Sequence, residues 1–102
     1  MADAEVVEVV EVPERSRFEV RVDGATVGFA AYRPVPGGLR FTHTEVSDAV
    51  AGRGLGGVLV RSALDTARAR GLAVHPDCPF VRGWIAKHPE YADLVPTDGR
   101  AR

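Results

Sequence analysis

The stretch Ala51-Gly52-Arg53-Gly54-Leu55-Gly56-Gly57 decides how the rest of the chain reads. Glycines stand at 52, 54, 56 and 57, and the apolar residues that follow, Leu55, Val58, Leu59, Ala63 and Ala67 with Leu64 beside them, fall at helical spacing. A glycine-rich turn that opens a long helix leaves first-turn amides unpaired at the positive end of the helix dipole. Glycine also removes the Cβ that would keep an anion from those amides. The same glycines suit a tight turn and close packing of the helix. By itself, then, the stretch points to a phosphate without naming its owner.

Upstream the chain is β in character. Val6-Val7-Glu8-Val9-Val10-Glu11-Val12 reads as an edge strand guarded by glutamates. Phe18-Glu19-Val20-Arg21-Val22 alternates strictly, Asp23-Gly24 supplies a two-residue turn, and residues 25–32 return as a second strand. Pro34-Val35-Pro36-Gly37-Gly38 is expected to break that strand. Leu39-Arg40-Phe41-Thr42-His43-Thr44-Glu45-Val46 is a third alternating run, which places Leu39, Phe41, His43 and Glu45 on one side.

Downstream, the helix predicted over 54–70 carries Arg61 and Asp65 at i,i+4 and Arg68 and Arg70 in its last turn, with Gly71 placed to end it. Leu72-Ala73-Val74-His75 is a short buried strand, Pro79 begins a helix running to about residue 87, and Pro89 begins a last short turn to 94. The class is α+β: a mixed, mostly antiparallel sheet with one β-α-β crossover and two or three helices. The domain spans 6–95, with flexible tails expected at 1–5 and 96–102.

Composition narrows the function classes. At 102 residues, with 45% apolar and 26% charged residues, the chain has the size and balance of one globular domain. A net charge of -1 with interspersed signs argues against nucleic acid, and no apolar run approaches the ~20 residues needed to cross a bilayer. The start, with Asp3, Glu5, Glu8 and Glu11, is acidic and lacks the apolar core of a signal peptide. One cysteine, Cys78, forms no internal disulfide and no thiolate-rich zinc site. Cys78, His75 and His43 are too irregularly spaced to form a metal set, so no metal is expected. A cytoplasmic setting and a monomer or weak dimer are the expectation.

Two familiar phosphate ligands fit poorly. Gly52-Arg53-Gly54-Leu55-Gly56-Gly57 matches the dinucleotide pattern G-x-G-x-x-G, with Asp77 about 20 residues beyond Gly57. That pattern requires its strand immediately before it, yet residues 46–51 separate Glu45 from Gly52, and too little chain follows Asp77 for further parallel units. A nucleoside triphosphate loop would need Gly-Lys-Ser/Thr, which does not occur here.

The context resembles the GNAT superfamily of acetyltransferases, whose pyrophosphate loop reads Gln/Arg-x-x-Gly-x-Gly/Ala between an antiparallel strand and a helix. The motif maps onto Ala51-Gly52-Arg53-Gly54-Leu55-Gly56, with Ala51 where the family carries Gln or Arg. His43-Thr44-Glu45-Val46, the glycine loop, Pro76-Asp77-Cys78-Pro79-Phe80-Val81 and Lys87-His88-Pro89-Glu90-Tyr91 resemble, in that order, the small GNAT-like family of roughly hundred-residue single domains. The resemblance runs from about Phe18 to Leu94. It implies acetyl-CoA lying between the strand that ends near Val46 and the strand at 72–75, with Val46 and residues 51–57 as the cofactor-binding set. Ordinary members carry two helices after their first strand, where this chain has only Pro13-Glu14-Arg15-Ser16-Arg17, so an open acceptor side is implied.

Acetyl transfer to an amine needs a base for the amine and an acid for the leaving thiolate. Glu45 is the first candidate base, on the premise that partial burial raises its pKa, and His43 is the second. Cys78, at the N-cap of a helix that starts at Pro79, is a candidate nucleophile for an acetyl-cysteine intermediate, opposed by the neighbouring charge of Asp77. His75, three residues away on an extended segment, is expected on the opposite face from Cys78. Trp84, with Val81 and Ile85, reads as core. The sequence thus supports an acetyl-CoA-dependent N-acetyltransferase acting on a primary amine of a small molecule or protein. A non-catalytic CoA-binding or interaction module of the same fold is the alternative.

Overall fold

The computed structural model describes residues 5–96, so the expected tails at 1–5 and 96–102 fall almost wholly outside the described residues. Strands β1 (Val7–Val12), β2 (Arg17–Val22), β3 (Ala25–Val35) and β4 (Gly38–Val46) precede helix α1 (Leu55–Ala69), strand β5 (Ala73–Pro76) and helix α2 (Pro79–Ala86). Short 3-10 turns occupy Pro13–Arg15, Asp48–Val50 and Pro89–Leu94. The five strands lie in sequence order, antiparallel from β1 to β4, with β5 parallel to β4 after the α1 crossover. This is the mixed, mostly antiparallel α+β architecture that the alternation and the helix spacing predict.

One face of the sheet supplies the core. Phe18 and Val20 of β2, Ala30 and Tyr32 of β3, Leu39 and Phe41 of β4 and Val74 of β5 meet Leu59, Val60, Ala63, Leu64 and Ala67 of α1. Val81 and Ile85 of α2, with Tyr91 and Leu94, extend the same cluster. Burying side chains of this size contributes roughly 1.5–3 kcal/mol each, which is what holds a helix with two glycines in its first turn. Its other end is fixed by a Schellman closure: Gly71 takes φ +68, its amide donates to the Arg68 carbonyl (3.1 Å), and the Leu72 amide donates to the Ala67 carbonyl (2.9 Å).

Two expectations are corrected. Pro34 does not break β3, which continues to Val35 before the Pro36-Gly37 turn. Beyond Ala31 the strand has no β2 residue opposite it, so the amide that Pro34 lacks is not needed on that side. The second correction concerns the faces of β4. Ala31 pairs with His43 and Tyr32 with Phe41, which leaves Thr42 unopposed as a bulge. The extra residue resets the alternation, so Thr44 and Val46 continue the core face of Leu39 and Phe41. His43 and Glu45 are turned to the other face and are exposed.

That outer face is polar and uncovered by α1 or α2. Glu19 is buried there among side chains rather than under a helix: it accepts from Arg17 (2.9 Å), Arg21 (2.8 Å) and Thr26 (3.0 Å). The Arg21 and Arg17 hydrogen bonds pull its carboxyl down to about 2. Because the folded value lies below the unfolded one, the stabilisation is complete above the unfolded pKa and is lost as pH falls from about 4.5 toward 2. Solvent reaches both arginines, so the contribution is discounted to on the order of 1–2 kcal/mol. Chemical denaturation at pH 7 and pH 2 is expected to show Glu19→Gln less stable by that amount at pH 7 and nearly equal to wild type at pH 2. A constant difference at both pH values would remove the ion network as its cause.

Candidate functional site

Between Val46 and Leu55 the chain makes a 3-10 turn, Asp48–Val50, capped by the Ser47 hydroxyl accepting from the Ala49 amide (3.2 Å). The Ala51 amide donates to Asp48 (3.1 Å) and that of Arg53 to Val50 (3.3 Å), so both are consumed within the loop. Among the described residues, the amides of Gly52, Gly54, Leu55, Gly56 and Gly57 have no hydrogen-bond acceptor. No side chain caps the start of α1 and no acid lies in its first turn.

The four glycines divide into two kinds. Gly52 and Gly54 have φ of +83 and +76, and nothing lies within 4 Å of where a Cβ would stand. Their role is conformational, and the space above them is clear. A Cβ on Gly56 would lie 2.7 Å from the Phe80 ring, and one on Gly57 would lie 3.2 Å from Trp84 Nε1. These two glycines seat α2 against α1. Close packing thus holds at Gly56 and Gly57, while Gly52 and Gly54 leave clear the space where a side chain would stand. Val46, Val50, the glycines and Phe80 enclose a cleft of about 240 Å³ at the helix mouth. Arg53, the charged residue of the loop, is paired with Glu5.

Beside this mouth β4 and β5 part company. They pair from Gly38↔Ala73 to Phe41↔Pro76, the last link being the Cys78 amide donating to the Phe41 carbonyl (2.9 Å). After that, Thr42 bulges and β5 gives way to α2. Cys78 is the N-cap of α2, as its spacing predicts, but it is only 3% exposed and its side chain makes no capping bond. Its Sγ lies 3.3 Å from the Thr44 hydroxyl, in the opening between the strands. The segment is held rigidly. Arg40 pairs with Asp77 (2.9 Å), compensating the charge next to the thiol, while Arg82 donates to the carbonyls of Pro76 (3.3 Å) and Asp77 (2.7 Å). His75 packs against Gly38 and pairs in register with Arg40, on the face away from Cys78.

On the outer side of β4, His43 Nε2 and Glu45 Oε2 are 3.3 Å apart and both side chains are more than half exposed. The burial on which the Glu45 expectation rested is absent, and the bulge at Thr42 is the reason. His43 also lies against Phe29 (centroids 5.9 Å apart), whose ring carries the Arg17 guanidinium at 4.5 Å. The candidate residues thus fall into two groups on opposite faces of one strand: Thr44 and Cys78 inside, His43 and Glu45 outside. Thr44 and Phe80 were not singled out in the sequence. Thr44 depends on the bulge, which no residue pattern announces, and Phe80 reads as an ordinary helical apolar residue.

A family model described as GCN5-related N-acetyltransferase matches residues 17–94. The chain belongs to that family. Among solved structures, a protein from Staphylococcus aureus named for its likeness to GCN5 N-acetyltransferases superposes over 100% of this chain and 99% of its own, with a TM-score of 0.68 and 22% identity. That likeness establishes a shared fold. A ribosomal-protein-alanine N-acetyltransferase from Brucella melitensis biovar Abortus 2308 aligns over 79% of this chain and 61% of its own, at 22% identity and a TM-score of 0.49. No curated protein matches the sequence. Among the described residues no helix is long and apolar enough to cross a membrane.

The burial of Cys78 has a direct consequence, because a thiol reacts only as an exposed thiolate. In the native protein, Cys78 is expected to react with a small disulfide reagent at least about 100-fold more slowly than in the urea-unfolded chain. Equal rates would show that the opening between β4 and β5 admits reagents freely.

Proposed function

We propose that the protein is an acetyl-CoA-dependent N-acetyltransferase whose acceptor, a primary amine, is presented at the uncovered outer face of the sheet beside β4. The observation that carries this reading is the mouth of α1. Five unpaired amides, at Gly52 and at residues 54–57, surround clear space above two left-handed glycines, directly beside the point where β4 leaves β5. Such a cradle suits a diphosphate, and it is where membership of the family leads one to look for CoA.

When bound, acetyl-CoA supplies a thioester whose C–S bond is exchanged for the C–N bond of the product amide. The chain's own residues would do the rest. The five amides hold the diphosphate, and the end of β4 at Val46 offers backbone groups to the pantetheine arm. On the outer face, the His43 imidazole takes the proton that the ammonium must lose, while Glu45, 3.3 Å away, orients the ring. On the inner face, the Thr44 hydroxyl and Cys78 thiol stand ready to return a proton to the leaving sulfur. Phe29 contributes an aromatic surface beside His43, of the kind that attracts cations.

A second route, through an acetyl group on Cys78, is favoured by its N-cap position and by its place in the opening, although its burial opposes attack. Mass spectrometry after incubation with acetyl-CoA separates the two routes. Direct attack predicts no adduct on Cys78 and turnover reduced but not lost in Cys78→Ser, because the Thr44 hydroxyl still offers a proton to the leaving sulfur. The covalent route predicts the adduct and loss of turnover.

With an amine panel, thiol release is expected to fall about 10- to 100-fold in His43→Gln and less in Glu45→Gln. CoA is expected to slow amide exchange at Gly52 and at residues 54–57. CoA binding with no turnover on any amine would make the protein a non-catalytic CoA module, and failure of CoA to protect those amides would end the reading altogether.

A further inference from the structure

On the outer face of the sheet, the row of residues just short of the opening is basic. Arg33 of β3 stands opposite Arg40 of β4, and Arg40 opposite His75 of β5, so three strands set Arg33, Arg40 and His75 side by side. Their neighbours Tyr32, Leu39, Phe41 and Val74 are buried in the core, which puts the row on the face that carries His43 and Glu45.

Like charges opposed across a strand pair repel. One carboxylate answers them, since Asp77 accepts from Arg40 Nη1 at 2.9 Å, and the other donors of that guanidinium remain. Arg33 is exposed, and among the described residues no carboxylate pairs with it. Arg17, opposite Ala31, is engaged by Glu19 and by the Phe29 ring. The two arginines set against Asp77 therefore leave a surplus of one positive charge. Ala31 is also the residue opposite His43, and Arg33 lies two residues further along β3, a separation of about 7 Å.

We infer that Arg33 and Arg40 hold a carboxylate of the acceptor, so that the acetylated amine is one end of an ω-amino carboxylate. The inference rests on the placement of the acceptor beside His43 given above. A guanidinium fork matches a carboxylate bidentately, and a monoanion balances the surplus charge of the row. With the amine at His43 and the carboxylate about 7 Å away, a chain of about four or five methylenes joins them. Arg33 is then a specificity-determining residue, because its charge is uncommitted in the free protein. The carboxylate takes no part in the transfer and leaves unaltered on the amide product. A diamine of the same length would set its second cation against the arginines and is disfavoured.

Steady-state thiol release by the full chain with acetyl-CoA tests the assignment. The acceptors 6-aminohexanoate, 6-aminohexanamide and 1,6-diaminohexane share one chain length and differ only at the far end. Their kcat/KM is expected to fall in that order, by at least about tenfold from first to last, with the difference mainly in KM. Arg33→Gln is expected to bring the carboxylate and the amide within about twofold of each other, and Arg33→Glu to place the diamine above the carboxylate. Similar kcat/KM for all three in wild type, a carboxylate preference that survives in Arg33→Gln, or turnover confined to amines without a carboxylate would each overturn the assignment while leaving acetyl transfer intact. Turnover of no amine at all would remove the two together.

Discussion

The parting of β4 from β5 is the constraint on which the rest of the structure depends. The two strands are held together over four residue pairs and one last hydrogen bond, from the Cys78 amide to the Phe41 carbonyl. Past that bond a single extra residue, Thr42, changes the direction and facing of β4, and Pro79 turns the chain from β5 into α2. Everything with chemical potential lies around the resulting opening. The mouth of α1 is on one side of it, half-buried Thr44 and buried Cys78 are in its floor, and the exposed pair His43 and Glu45 is on its far side. The sheet therefore separates two environments, one apolar and shielded by helices, the other wet and charged. A donor and an acceptor approaching from these two sides would meet only where the backbone has opened.

The helices make this arrangement possible through small residues. α1 begins with no side-chain cap and two glycines, a poor start by intrinsic propensity. It is compensated by packing, since Leu59, Val60, Ala63, Leu64 and Ala67 are almost wholly buried and the Schellman closure at Gly71 secures the far end. Phe80 and Trp84 lie on the glycines that the helix start would otherwise leave bare. The features that make the first turn accessible to an anion are thus stabilised by contacts on its other side.

Much of this was legible in the sequence. Strict alternation in Phe18-Glu19-Val20-Arg21-Val22, the Asp23-Gly24 turn, the 3.6-residue spacing after Gly54 and Gly71 as a stop signal each correspond to local physics that the tertiary structure does not override. The N-cap position of Cys78 follows in the same way from Pro79. What was not legible is what depends on pairing between distant segments. The bulge at Thr42 exists only because β3 and β4 align as they do, so the alternation of β4 taken alone put His43 and Glu45 on the wrong face. The strand continued through Pro34 because β2 ends short of it, which the residues near Pro34 do not encode. Trp84, read as core, is half-buried and stacks on His88, because a helix face can be apolar and still border a cavity.

The three-residue turn Pro13–Arg15 between β1 and β2 has an architectural corollary. It lies on the surface at the edge of the sheet, far in sequence from the glycine loop. Lengthening a surface connection costs little in closure entropy. A segment grafted there could fold across the bare side of the sheet and narrow the range of molecules admitted, while the α1 end of the domain stayed untouched. The fold is in this sense a chassis: selectivity can be added to it at one corner, independently of the machinery at the other.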